Sequence, residues 1–351
     1  MVQNNGELSP IPSFIFRRLQ NGIVSAVSRF GLIMAAGFLI SSLNAAFAVQ
    51  KAVVIVPVAD VWSVYPGTSP ALGDDQRETQ ALYGERVRVR QTRGAWARIE
   101  ALDQPEFSHH QKWEGYPGWI DRRAVNLTTA PNMAEAVVAS TWTIAMEPET
   151  APDVWLSLGS FLRPAGKTDD LWVISTPRGD RCINFSFTRK LLPAQERATR
   201  EAILSSAGKM MGVAYLWGGL TAAASPPQPL VDKQTKFGVD CSGLVHLAYR
   251  VNGLTVPRDS HEQWMKAAKL KRGELLPADL IFSASADKPE KIVHVTLYAG
   301  GEYLLEAPQT GKVVRKVSFK EKYGAEFLKV ESGQTVGDRV IYFGRLLEDG
   351  R

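Results

Sequence analysis

The sequence predicts an α+β protein in which two small all-β blocks precede a larger α+β domain. Three observations carry that expectation. Short apolar runs and strand-like alternation, separated by turn residues, fill residues 52–126 and return over 137–187, a spacing typical of small barrels. From about residue 194 helical periodicity comes first and strand patterns follow, the order of an α+β domain. A chain of 351 residues is also longer than one ordinary core covers, so two or three domains are expected. The predicted partition is a leader over 1–48, β-rich domains over 49–130 and 131–192, and the α+β domain over 193–351.

Composition narrows the class. Hydrophobic residues make up 45% of the chain and charged residues 22%, as in globular rather than disordered proteins. The formal net charge is +5, falling to +3 (38 basic, 35 acidic) once residues 1–48 are set aside. That balance, without any Lys/Arg run interleaved with aromatics, argues against a nucleic-acid partner. It permits only weak attraction to anionic polymers. No His/Cys/Asp cluster has metal-ligand spacing and no nucleotide motif occurs, so no cofactor is expected.

The N-terminus carries a targeting pattern. Arg17, Arg18 and Arg29 form a basic flank, residues 30–40 are uncharged and apolar, and Ala46-Phe47-Ala48 fits a small-x-small cleavage site. This is the layout of a secretory signal peptide cut after Ala48. The alternative is an uncleaved anchor, because residues 30–48 are about long enough to span a bilayer, although Ser41, Ser42 and Asn44 interrupt them. No cysteine follows the run, which removes a lipoprotein anchor.

In the first β block Val53-Val54-Ile55-Val56 is a buried-type run, and residues 80–89 end in alternation. Ala95-Trp96-Ala97-Arg98-Ile99 follows a glycine turn, and Gly118-Trp119-Ile120 closes the block. A turn-Trp-x-x-Ile strand followed by a Gly-Trp-Ile strand resembles bacterial SH3-like domains. The second block, with Val137-Val138-Ala139-Ser140, Leu171-Trp172-Val173-Ile174 and Cys182-Ile183-Asn184-Phe185, is read as a second such barrel. Pro193 is then expected to open a helix whose Ile203, Ala207, Met210 and Met211 share a packing face.

The chemistry concentrates near Cys241. Two cysteines in an exported chain invite a disulfide reading, but the setting of Cys241 argues for a free thiol and leaves Cys182 as a small buried residue. After Asp240-Cys241-Ser242-Gly243, residues Leu244, Leu247, Ala248 and Val251 recur at helical spacing, and Asn252-Gly253 is a helix stop. Cys241 therefore opens an amphipathic helix, where unpaired N–H groups and the dipole favour an anion and lower a thiol's pKa. Its amide is placed to donate to an oxyanion. An inert cysteine would be ordinary at mid-helix on an apolar face; Asp, Ser and Gly neighbours are a different setting.

A thiol nucleophile needs a base, and the base needs an orienting partner. Of five histidines, His109 and His110 sit in a polar loop and read as solvated, His246 points away on the Cys241 helix, and His261 follows a polar turn and remains a candidate. His294 fits best. In the strand 292–298, Val293, Val295 and Leu297 take one face, leaving His294, Thr296 and Tyr298 on the other. Glu306 is an acid in an apolar strand, costly unless paired. A three-residue loop at 299–301 would set His294 opposite Glu306 on one face, whereas a two-residue loop would part them. The three-residue loop is expected, with Glu306 orienting the imidazole and favouring its cation. Strand alternation also allows Glu306 to be a solvated residue.

The motifs Tyr215-Leu216-Trp217-Gly218-Gly219, Gly238-Val239-Asp240-Cys241-Ser242-Gly243-Leu244, Pro257-Arg258-Asp259-Ser260 with Gln263, Ala278-Asp279-Leu280-Ile281-Phe282, and His294-Val295 through Glu306-Ala307-Pro308 resemble the NlpC-type papain-like peptidases of the bacterial cell wall in order and spacing. With two SH3-like blocks in front, the chain is similar to the γ-D-glutamyl-L-diamino-acid endopeptidases among them. The resemblance implies a papain-like α+β domain with Cys241 as nucleophile, His294 as base and Glu306 in the third polar position, usually His, Asn or Gln in the family. It implies that Asp259 and Ser260 read a peptide's free amine, helped by Tyr116 and Glu78 from the first block, which roofs the site. Asp240 and Ser242 are counted with the substrate-binding residues. A Pro-rich insertion between Gly219 and Gly238 departs from the pattern and bears on one wall of the cleft. Carboxylates and hydroxyls suit an ammonium on chemical grounds alone; Asp259-Ser260 also reads simply as a helix N-cap.

The expected function is hydrolysis of γ-D-Glu–L-diamino-acid bonds in peptidoglycan-derived peptides with a free N-terminal L-Ala. The enzyme is expected to be exported, periplasmic or extracellular, with peptidoglycan peptides as its partners, no metal, and no membrane span in the mature chain. Two rivals stand beside it: a non-catalytic wall-binding protein, and an amidase or acyl transferase on the same Cys–His pair.

Overall fold

The computed structural model describes residues 50–67, 72–128, 133–146, 154–168, 170–176, 179–191, 198–223 and 236–347. The leader predicted over 1–48, Pro193, and the Pro-rich residues 224–235 lie outside them.

The first block is a seven-stranded antiparallel sheet. Strands β1 (Gln50–Val54), β2 (Val58–Trp62), β3 (Arg77–Leu82), β4 (Arg86–Arg93), β5 (Trp96–Glu106), β6 (Glu114–Asp121) and β7 (Val125–Leu127) lie in the order β3-β2-β6-β5-β4-β1-β7. Alternation drives it: Ala52, Val54, Val87, Val89, Ala97, Ile99 and Ile120 turn into one core. Residue 118 must be glycine, since a Cβ there would sit 2.4 Å from Val61 Cγ1. The β5–β6 hairpin pairs Ala101 with Tyr116 and Glu106 with Glu114, so residues 107–113 form its tip.

The second block consists of short antiparallel strands: β8 (Ala136–Val138), β9 (Trp142–Ala145), β10 (Val154–Ser157), β11 (Phe161–Leu162), β12 (Pro164–Lys167), β13 (Leu171–Thr176), β14 (Gly179–Asn184) and β15 (Thr188–Lys190). They pair as β10-β9, β11-β8-β15 and β12-β13-β14, around Leu156, Trp172, Ile174 and Ile183. Tyr83 of the first block joins this core. Cys182 pairs with Val173 across β13–β14. It is half-buried rather than fully buried, and it and Cys241 are both free thiols.

The third block opens with α1 (Arg200–Gly208), capped by the Thr199 hydroxyl, which accepts the Ala202 N–H. A short ladder, β16 (Leu220–Thr221) with β17 (Gly238–Val239), leads into α2 (Cys241–Arg250) and α3 (Ser260–Lys266). Then come β18 (Ala268–Leu270), β19 (Leu280–Ser285), β20 (Lys288–Gly300), β21 (Tyr303–Glu306), β22 (Arg315–Ser318), α4 (Phe319–Tyr323), β23 (Gln334–Val336) and β24 (Arg339–Arg345). The sheet runs β18-β24-β19-β20-β21-β22, with β23 on β24. One core gathers Leu244, Leu247 and Ala248 of α2, Ile203 and Ala207 of α1, and Val295 and Leu297 of β20. A second holds Tyr298, Leu304, Phe319, Phe327 and Phe343. Helices first and strands later is the α+β order the sequence predicts.

Two expectations for the helices need correction. Met211 is 44% exposed and leaves the packing face assigned to it. All ten residues of α2 are buried, so it is a central helix rather than a half-exposed amphipathic one. Its polar side is covered by the N-terminal blocks: Arg250 donates to Glu85 Oε1 at 2.6 Å and stacks on Phe161 at 4.0 Å. Among the described residues no helix is long and apolar enough to cross a membrane.

Candidate active site

Cys241 is the first residue of α2, and Asp240 is its cap. Asp240 Oδ1 accepts the Gly243 N–H at 2.6 Å. A Cβ on Gly243 would lie 2.4 Å from the Gly219 carbonyl oxygen, so the helix start can approach that loop only as glycine. Arg258, fully buried, grips Asp240 through Nη2–Oδ2 at 2.8 Å and Nη1–Oδ1 at 3.0 Å. It also donates to Ser242 Oγ at 3.1 Å, Thr79 Oγ1 at 2.8 Å and the Gly219 carbonyl at 3.2 Å. Asp240 and Ser242 thus face the cleft with their side chains held by Arg258.

The low thiol pKa expected from the helix start is overturned. Burial pushes the Cys241 thiol up to about 12, and the Asp240 charge adds to it; the backbone of Val295 and Ser242 and the Arg258 charge pull the other way without offsetting this. Desolvation outweighs the helix terminus here, and the resting sulfur is a neutral thiol.

His294 stands on an irregular strand. Ser283 pairs with His294 and Ala284 with Ile292, so Val293 is bulged out and 47% exposed, instead of joining Val295 and Leu297. At the other end Gly300 pairs with Tyr303, yet Tyr298 pairs with Leu304. The loop is therefore a two-residue turn, Gly301-Glu302, and Ala299 is a bulge. Gly300 and Gly301 take φ of 95° and 63°, open to glycine at no steric cost. The predicted three-residue loop is absent. A two-residue turn alone would put His294 and Glu306 on opposite faces, and the one-residue bulge restores the shared face. Extending this register sets Thr296 opposite Glu306, so His294 meets Glu306 diagonally, with Nε2 and Oε2 3.4 Å apart.

Glu306 is fully buried and needs cations. Arg315, its cross-strand partner on β22, reaches Oε1 through Nε at 3.0 Å and Nη2 at 2.9 Å. Lys322 of α4 donates to Oε2 and lies 3.2 Å from His294 Nε2. Burial presses the carboxyl upward, but contacts with His294 and Lys322 hold it down at about 2. Glu306 does push the His294 pKa upward, as expected, but the net shift is downward. Burial lowers it, and the Lys322 charge adds to burial; together they outweigh Glu306.

The far side of the cleft joins the first block to the third. Tyr116 donates to Asp259 Oδ2 at 2.7 Å and lies 3.2 Å from Glu78 Oε2. Asp259 occupies the N-cap position of α3 without making a side-chain cap bond, which leaves its carboxylate for Tyr116. Burial pushes its pKa up to about 7, against the nearby Arg258 charge and the Tyr116 bond. Ser108, at the hairpin tip, donates to Glu262 of α3. His109, read from sequence as solvated, packs edge-on against Tyr116 with centroids 5.3 Å apart. Its Nδ1 lies 3.1 Å from Glu106 and its Nε2 3.6 Å from Glu78. Those two carboxylates push its pKa up to about 10.

Cys241, His294, Asp240, Ser242, Asp259, Ser260, Tyr116 and Glu78 line one cleft of about 970 Å³, and Lys322 and His261 line it too. Glu306 sits behind His294. His261 Nδ1 accepts the Ile292 N–H at 3.3 Å; His246 is buried in α2, where burial holds it near 3. Ligand-type atoms of Glu106, His110 and Glu114 come within 4.8 Å of one another. The Lys112 ammonium lies 2.9 Å from Glu114, a cation already on an oxygen a metal would need. Sequence reasoning missed Lys322 and Arg315, quoted Arg258 in a motif without giving it a role, and read His109 as solvated. A buried acid such as Glu306 signals that a cation must be near, without saying which one.

The arrangement offers a thiol, an imidazole that can accept its proton, and carboxylates suited to an ammonium. Residues 212–331 match the model of the NlpC/P60 family. The chain is 26% identical over 249 residues, covering 71% of it and 78% of the relative, to the gamma-D-glutamyl-L-lysine dipeptidyl-peptidase of Bacillus subtilis. It is 36% identical over 121 residues, 34% of it and 48% of the relative, to the peptidoglycan endopeptidase RipB of Mycobacterium tuberculosis. An NlpC/P60 family crystal structure from Bacillus cereus superposes with a TM-score of 0.68 over 85% of this chain and 100% of that one, at 20% identity, a likeness of fold. The third block of the chain is thus similar to the NlpC/P60 family over residues 212–331, and the relatives it matches are named as peptidases.

Proposed function

We propose that this protein hydrolyses the γ-D-Glu–L-diamino-acid bond of peptidoglycan peptides whose N-terminal L-Ala amine is free. Cys241 acts as nucleophile and His294 as base. Both groups rest neutral, so the thiol proton passes to His294 as sulfur attacks the carbonyl; Nε2 faces Glu306 and Lys322, leaving Nδ1 for the thiol. The tetrahedral oxyanion takes the Cys241 amide N–H. The protonated imidazole then gives its proton to the leaving amine, and water, deprotonated by His294, releases the acyl group and restores the thiol.

One observation carries the choice of substrate: Tyr116 of the first block and Asp259 of the third meet at 2.7 Å, beside Glu78, on the cleft that holds Cys241. A phenol and two carboxylates gathered there are suited to an ammonium. Ser260 extends the same wall, and Asp240 and Ser242 shape the wall beside the thiol. The names of the relatives, one a γ-glutamyl dipeptidyl-peptidase and another a peptidoglycan endopeptidase, favour the same bond class. We read residues 49–130 and 131–192 as two SH3-like barrels, 193–351 as the catalytic domain and 1–48 as an export signal, which places the enzyme outside the cytoplasm.

The test is mass spectrometry of L-Ala-γ-D-Glu-diaminopimelate incubated with residues 49–351 and with the Cys241→Ala form. Release of L-Ala-D-Glu by the first alone supports the reading. No cleavage by a folded protein moves the wall-binding reading to first place, and transfer of the acyl group to an added amine favours the acyl transferase.

A further inference from the structure

We propose that Lys322 is a charge-compensating positioning residue: together with Arg315 it offsets the buried Glu306 carboxylate, so that His294 rests as a neutral imidazole able to take the Cys241 proton. This rests on the reading of Cys241 and His294 as the reacting pair.

The geometry carries it. Three atoms form a tight triangle: His294 Nε2 is 3.4 Å from Glu306 Oε2 and 3.2 Å from Lys322 Nζ, and Lys322 donates to that same Oε2. The other oxygen is held by Arg315 from two nitrogens, at 3.0 and 2.9 Å. A lone buried carboxylate behind an imidazole would stabilise the imidazolium strongly. Here the carboxylate meets two cations first, and one of them stands against Nε2 of the ring that becomes positive when Nδ1 takes the thiol proton. Like charges 3.2 Å apart with 15% and 14% side-chain exposure are poorly screened. The other charged or titratable groups on this part of the cleft include Cys241 on α2, His261 on α3, Lys291 on β20, Tyr323 on α4, Asp338 before β24 and Arg339 on β24. Burial keeps the Tyr323 hydroxyl protonated, and Arg339 acts in the same direction as Lys322. Glu306 is therefore the anion in contact with His294 that favours its protonation, and Lys322 is the cation in contact with both.

Two readouts test this in a Cys182→Ser background, where alkylation reports Cys241 alone. Lys322→Met should move the acid limb of kcat/KM upward by about one pH unit. It should also speed iodoacetamide alkylation of Cys241 at pH 7 by roughly tenfold, because a more basic imidazole draws more thiol into the ion pair. Lys322→Gln, which keeps a donor but not the charge, should do the same, and Glu306→Gln should shift both readouts the opposite way. The double variant Lys322→Met/Glu306→Gln should return both toward wild type. A purely structural lysine would lower activity and thiol reactivity together with no shift of the limb, and that result overturns the proposal. If wild-type cleavage proves independent of Cys241, the underlying reading fails instead, which the Cys241→Ala control reveals separately.

Discussion

The two sides of the cleft handle their carboxylates differently. Behind His294, Glu306 has no exposed side-chain surface and is held by Arg315 and Lys322. Across the cleft, Asp259 and Glu78 keep 39% and 23% of their side chains exposed. Asp259 has its nearest cation, Arg258, at 3.8 Å, and Glu78 has His109 at 3.6 Å. The first side has its charge balanced internally, as suits a proton-transfer step in a dry site. The second leaves acidic groups open to a cation arriving from solvent. The same residue type is read as machinery in one place and as a receptor in the other, and the difference is compensation.

Four changes break or sharpen that contrast. The largest effect is expected at the reacting pair: Cys241→Ala should lower kcat/KM by at least about a thousandfold while the thermal midpoint stays near wild type, a combination read by kinetics beside calorimetry. Next is Arg258→Ala, which strands Asp240 as a buried charge and should cost roughly 3–5 kcal/mol of stability, seen as a clear drop in the denaturant midpoint. Third, Asp259→Asn removes a charge-assisted contact worth about 1.5–3 kcal/mol. It should raise KM for free-amine peptides by roughly 10- to 150-fold with kcat little changed, and an unaltered KM would detach Asp259 from substrate binding.

The smallest effect is in pH. Burial raises the Asp259 carboxyl from 3.8 to about 7. Below that value it is protonated and cannot pair with an ammonium. KM for free-amine substrates should therefore fall as pH rises from 6 to 8, by up to about tenfold, and Asp259→Asn should flatten the profile.

Much of the fold's order was legible because it is local. Alternation in the first block, the glycine-flanked start of α2 and the helix-then-strand order of the third block follow from residue pattern alone. Cys241 at a helix start and His294 on a strand were legible for the same reason. What escaped were consequences of tertiary packing. Periodicity shows α2 to be apolar on one side, but only the docked N-terminal blocks bury the other. Likewise, helix position argues for an acidic thiol until burial reverses it. The shared face of His294 and Glu306 was inferred through a loop length that does not occur; the bulge at Ala299, invisible to residue pattern, produces the same parity. Lys322 and Arg315 escaped because nothing in their own segments announces a buried acid sixteen residues before one and nine before the other.

The central claim is that Tyr116, Glu78 and Asp259 read a free amine next to a working Cys241 site. The most direct measurement is the ratio of kcat/KM for L-Ala-γ-D-Glu-diaminopimelate to that for its N-acetylated form, with the residue 49–351 protein. A ratio of a hundred or more, carried mainly by KM and collapsing toward one in Asp259→Asn, is predicted, on the order of 3 kcal/mol for a charge-assisted contact. A ratio near one in the wild-type enzyme would contradict the account of the amine-reading side while leaving the peptidase chemistry intact.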